Sequence, residues 1–252
     1  MSSLILHEKY IKLKKELSDK LFEYEDLINH ICPNIEHIFI MEFGALEYKI
    51  YELDMNINRI KRKINMIQYK INHEKEIDLD LIDEELDKEF EEYLEKLKEL
   101  QDEIKYAFDK ELMTTSLSEE DAKELKRLYK IIIKRLHPDL NKNLSEKDRE
   151  LFLTATEAYA QGNLKVIKSI YLLLEEDNDD ALEDLKDIEE LIKEIDEKIL
   201  KIKQDYPYNK KELIENEELI TNYKSELNNL IELKEDNLNS YNEKLNQLIK
   251  DV

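Results

Sequence analysis

From Leu46 to Ile71 the apolar residues Leu46, Ile50, Leu53, Ile57, Ile60, Ile64, Ile67 and Ile71 alternate steps of four and three without a miss. That spacing lines one side of an α-helix and fits no β-strand, whose side chains change face at every residue. Comparable seams run through Ile82, Leu86, Phe90, Tyr93, Leu97, Leu100, Ile104 and Phe108, and through Leu185, Ile188, Ile192, Ile195, Ile199 and Ile202. Sheet corners and tight turns draw on glycine and proline, yet 252 residues include two glycines and three prolines. Charged residues make up 40% of the chain, as expected of long amphipathic helices with narrow apolar seams. The fold class expected is all-α, with long coiled-coil-like helical arms flanking a small helical module.

The first helix is expected from about Leu4 to Ile31, ended by Pro33, which cannot donate into the helical ladder. The second runs from about Ile35 to Asn72, with Gly44 inside it permitting a close helix crossing. After a polar loop at 73–80 the third helix spans about Leu81 to Leu112 and should lie antiparallel to the second. Asp177-Asn178-Asp179-Asp180 reads as an acidic hinge before the fourth helix, and Tyr206-Pro207-Tyr208-Asn209 separates that helix from a last one starting near Lys210. The seam of the last helix is interrupted by Lys234 and Asn237, the kind of polar residue that sets register. The division expected is an N-terminal helical arm at 1–115, a central module at 116–178 and a C-terminal helical hairpin at 179–252.

Net charge is −22, the wrong sign for a generic binder of nucleic acid or anionic membrane. The single cysteine, Cys32, allows neither an internal disulfide nor a cysteine-based zinc site, and reads as a small buried hydrophobe. His7, His30, His37 and His73 lack partners at metal-ligand spacing, so no metal and no cofactor is expected. Acidic pairs such as Glu119-Glu120 and Glu217-Glu218 read as solvated helix surface, and there is no glycine-rich phosphate loop, so no enzymatic activity is expected. The N-terminal apolar run is too short for a signal peptide and no stretch is long enough to span a membrane, giving a cytoplasmic expectation.

The central module carries the most specific pattern. Ser118 is placed to cap a helix whose first turn holds Glu119, Glu120 and Asp121. Leu125, Leu128, Ile132 and Leu136 fall on one face, while Lys123, Lys126, Arg127, Lys130 and Lys134 fall on the other. Pro138 stops the helix, because the residue before a proline is pushed out of the helical region. A second helix begins near Ser145, buries Phe152, Ala155 and Tyr159, and closes at Gly162-Asn163. Residues 118–176 hold 11 basic and 11 acidic side chains, so the whole acidic excess lies in the arms.

Two antiparallel helices joined by His137-Pro138-Asp139, the first with a basic face, resemble the J domain of the DnaJ-type co-chaperones over about Glu124 to Tyr159. The resemblance implies that His137, Pro138 and Asp139 stimulate a DnaK-type ATPase and that Lys123, Lys126, Arg127, Lys130 and Lys134 carry affinity for it. The arms would then select a protein client. The family's short first helix has no counterpart before Ser118, and the long third helix is expected to take over its packing role. Two other readings compete: a coiled-coil scaffold or oligomerisation protein, possible as a homo-oligomer, with an inactive J-like module, and an acidic mimic of nucleic acid.

Overall fold

In the computed structural model, residues 2–113, 117–174 and 185–250 are described; the expected acidic hinge at 177–180 and the Thr-Thr-Ser loop at 114–116 lie outside them. The chain is all-α. Its elements are α1 (Ser2–Asp26), a π-helical turn (Leu27–Ile31), α2 (Cys32–Asn72), α3 (Leu79–Glu89), α4 (Glu91–Met113), α5 (Glu119–Leu136), α6 (Glu146–Ala160), α7 (Leu164–Leu173), α8 (Leu185–Gln204), α9 (Lys211–Glu215) and α10 (Glu217–Lys250). Among the described residues no helix is long and apolar enough to cross a membrane.

The chain divides into two compact units, each built from two separated stretches. Residues 1–36 and 115–211 form the first, and residues 37–114 and 212–252 the second. This regroups the three consecutive domains expected from sequence. Helix α8 belongs to the unit of α1 and the central module, whereas α10 belongs to the unit of α2 to α4, so the two helices of the expected C-terminal hairpin fall in different units. Periodicity specifies which face a helix buries but not which distant helix covers it.

In the first unit α1, α5, α6, α7 and α8 share one core. Leu17, Leu21, Phe22, Leu128, Tyr129, Ile132, Ile133, Tyr159, Ile167, Ile188 and Ile195 are buried in it. Lys9 pairs with Glu189, Lys20 with Asp196 and Lys203 with Glu23, so the partners climb both helices together and α1 and α8 run parallel. Pro33 does not end a helix. The turn before it widens instead, the Cys32 N–H reaching back five residues to the Leu27 carbonyl, which accommodates the ring without breaking the rod. Cys32 is buried, and that burial pushes its thiol above the ordinary pKa.

The second unit forms around α2. Arg59 pairs with Asp87 and Lys63 with Asp83, the descending order of an antiparallel pair. Glu42 pairs with Lys224 and Asp54 with Lys234, the ascending order of a parallel one. Lys234, the polar interruption in the last seam, thus reaches a specific acid on α2. Gly44 sits where a Cβ would stand 3.1 Å from Ile104 Cγ1, so the glycine permits the close approach of α2 and α4. The third helix expected from sequence is two, because the chain pauses at Phe90 (φ −104°, ψ 8°), whose ring is buried in the core of this unit. The last helix is likewise divided, at Asn216, whose Oδ1 accepts the N–H groups of Glu218 and Leu219 and starts α10 afresh.

Helix α2 ends in a paired arrangement: Lys75 N–H donates to the Lys70 carbonyl and Glu74 N–H to that of Ile71. This is the Schellman pattern, and its pivotal residue is Glu74 with φ +51°. An L side chain in that left-handed region costs roughly 1 kcal/mol. Glu74→Gly should therefore raise the stability of the protein by about 0.5–1 kcal/mol, read as a higher denaturant midpoint at unchanged slope.

Candidate functional site

Helix α5 starts at Ser118, whose Oγ accepts the Asp121 N–H, and carries three acids in its first turn and Lys134 and Arg135 in its last. Charge at both ends therefore opposes the helix dipole. Helix α6 starts at a capping box in which Ser145 and Asp148 satisfy each other's backbone N–H. It closes at Gly162, where φ is +67° and a Cβ would meet Leu117 at 3.3 Å. Tyr129 stacks on Tyr159 with ring centroids 4.0 Å apart, and His137 meets Phe152 edge-on at 5.1 Å. The contact later on α5 is the earlier one on α6, so the two helices are antiparallel.

The corner between them is locked from both sides. His137 N–H still donates to the Ile133 carbonyl, and Asn141 Nδ2 donates to the carbonyls of Lys134 and Arg135, closing the helix end. The Leu140 and Asn141 N–H groups return to the His137 carbonyl, making the turn. His137 Nδ1 accepts the Asp139 N–H, which leaves Nε2 as the protonated nitrogen of the neutral ring. Nε2 lies 3.6 Å from Glu25 Oε1 on α1, beyond hydrogen-bond range. The three loop residues are thus not equivalent. His137 is only 7% exposed and faces α1 and α6, whereas Pro138 and Asp139 are exposed. The Asp139 carboxylate has no ion-pair partner among the described residues.

The basic face is also divided. Lys126 pairs with Asp26 and Lys130 with Asp19, both acids on α1, and both ammonium groups lie beside the Phe22 ring. Lys123 pairs with Glu119, one turn back on its own helix, and both side chains are mostly exposed. Arg127 and Lys134 are exposed and have no ion-pair partner among the described residues. On the far flank Glu124 pairs with Lys168 of α7. The five cations read from sequence thus lie on one helix, but α1 engages two of them.

Sequence reasoning missed α1. It gives the third helix the packing role that the resemblance implies for a short first helix, whereas α4 belongs to the second unit and α1 packs on α5. The hinge of this contact is Asp26, 3% exposed, which accepts from the Tyr159 hydroxyl at 2.6 Å and from Lys126. Asp19, Phe22 and Asp26 follow helical spacing on one face of α1, a signal present in the sequence but meaningless without its partner. Tyr10, Leu17, Leu21 and Phe22 of α1, and Leu27 in the π-helical turn that follows it, are all buried in the shared core. At about 2 kcal/mol apiece, their burial is on the order of 10 kcal/mol, comparable to the whole stability of a typical domain. Helix α1 is therefore an integral wall of the module and not a detachable lid.

Burial raises the pKa of both stacked phenols, and for Tyr159 the adjoining Asp26 carboxylate raises it further. A free tyrosine ionises near pH 10. The unfolded chain therefore releases these protons first, so their contribution is complete below about pH 10 and drains away as pH rises toward the folded values. Tyr159→Phe should lower stability by about 1–2 kcal/mol at neutral pH, because Asp26 loses its buried donor. The same variant should show a shallower loss of stability between pH 10 and 11 than the parent, measured by urea unfolding.

Among the described residues no cluster of three His, Cys, Asp or Glu side chains is placed to hold a metal ion. No family model, no curated protein and no solved structure matches this chain.

Proposed function

We propose that the chain is a J-domain co-chaperone, a non-enzymatic protein that docks on a DnaK-type ATPase and stimulates its ATP hydrolysis. The observation that carries this reading is the corner at Pro138-Asp139. It offers an exposed carboxylate on a hydrogen-bonded turn, at the end of a helix whose Arg127 and Lys134 have no partner among the described residues. A cationic group on the ATPase would meet Asp139, and an acidic surface beside it would meet the helix, a pairing that governs encounter rate and orientation. His137 serves this arrangement as a positioning residue: it takes the Asp139 N–H and anchors the corner on Phe152. The second unit, with its separate core, is the part available to choose a protein client.

In single-turnover assays the full chain should accelerate ATP hydrolysis by a purified bacterial DnaK-type ATPase. Asp139→Asn should cut that acceleration at least about tenfold without moving the melting temperature, the behaviour of an exposed interface charge. His137→Gln should cut it as well, together with a measurable loss of stability from the vacated packing on Phe152. Absence of any acceleration by the unmodified chain defeats the proposal.

A second reading, an oligomerising scaffold with an inactive module, draws on Leu219, Leu230 and Leu233, which are exposed along one side of α10. It requires a stable oligomer in solution that leaves the ATPase unaffected.

A further inference from the structure

We propose that Asp19 and Asp26 of α1 are specificity-determining residues: they hold Lys130 and Lys126 out of the docking face and leave Lys123, Arg127 and Lys134 to meet the partner. The inference rests on the co-chaperone reading and goes beyond it by dividing the basic helix into an internal and an external half.

Helical geometry makes the division. Successive residues of an α-helix are about 100° apart. Lys126 and Lys130 therefore lean toward the flank of α5 that also carries Tyr129 and Ile133, and there α1 supplies an acid to each. Glu25, next to Asp26 on the same helix, faces His137 at 3.6 Å. Lys123 and Lys134 project straight away from the buried face, and Arg127 leans to the other side, bordered by the Glu124–Lys168 pair to α7. An acidic partner approaching the α1 side meets cations already neutralised and a half-exposed Asp19 that repels it. The same partner approaching along Arg127 and Lys134 meets two exposed cations with no ion-pair partner among the described residues, while the nearby acids Glu119 and Glu124 are held by Lys123 and Lys168. Because α1 contributes four buried core residues, the partner cannot readily displace it and must accept the composite face of α1 and α5. Partners that need a full five-cation strip are thereby disfavoured, and those matched to the narrower strip are retained.

Asp19 allows this to be tested without disturbing the core, since its carboxylate and Lys130 are each about half exposed. The affinity of the full chain for an ATP-loaded bacterial DnaK-type ATPase would be measured by titration at low and moderate salt. Asp19→Asn should tighten docking about threefold and steepen its salt dependence, by returning Lys130 to the face. The gain should vanish in the double variant Asp19→Asn with Lys130→Ala, and Arg127→Ala alone should weaken docking more than Lys130→Ala alone. Melting curves would establish that each variant is folded. An unchanged affinity in Asp19→Asn, a gain that survives loss of Lys130, or a greater effect of Lys130 than of Arg127 overturns the inference while leaving the co-chaperone reading intact. A parent chain that neither binds nor stimulates the ATPase overturns both.

Discussion

A single buried carboxylate ties the first unit together. Asp26 accepts hydrogen bonds from Tyr159 on α6 and Lys126 on α5 while standing at the end of α1. Removing a carboxylate from water is costly unless its oxygens are satisfied, so three helices must arrive at one point together for the burial to be tolerated. That requirement makes the contact specific. The apolar seam of α1 could slide along α5 by a turn at modest cost, but Asp26 has donors in one register alone. The Tyr129–Tyr159 stack beside it and the Thr156 hydroxyl that receives the Tyr129 O–H extend the same constraint across α6.

The consequences reach the exposed corner. With α1 registered, Glu25 comes to face His137 and Phe22 comes to lie beside Lys126 and Lys130. His137 is then enclosed on the α1 side and by Phe152 on the α6 side, and its remaining ring nitrogen steadies the Asp139 backbone. The helix dipole, the Asn141 bonds to the last carbonyls of α5 and the fixed φ of Pro138 add local rigidity. An exposed carboxylate on a rigid support loses little conformational freedom when a partner arrives, which is how a small contact can carry a large effect.

Local features were legible from sequence wherever the controlling forces act over a few residues. The cap at Ser118, the start at Ser145, the closure at Gly162 and the proline stop before Pro138 are all decided by neighbouring backbone groups, and the structure has them where those residues stand. The same holds for the basic face of α5 and for the close approach at Gly44. Errors arose where a local rule met a tertiary one. Pro33 looked like a break, but a widened π turn let the rod continue. Phe90 looked like one seam residue among eight, but it interrupts the helix while its ring fills a core. The last two helices are adjacent in the chain yet belong to different units, because adjacency does not decide what each seam buries.

By itself the sequence determined that this chain is helical, where its helices carry apolar faces, and that a proline-locked corner follows a basic helix. Those properties depend on residue spacing and on hydrogen bonds spanning a turn or less. Only the tertiary structure decided that residues from both ends of the chain complete two separate cores, that α1 and not α4 walls the central module, and that two of five cations are claimed internally. The physical reason is that an amphipathic face states what it needs covered but not by what. Asp26 and Lys126, 100 residues apart, acquire meaning for each other only once the chain has folded.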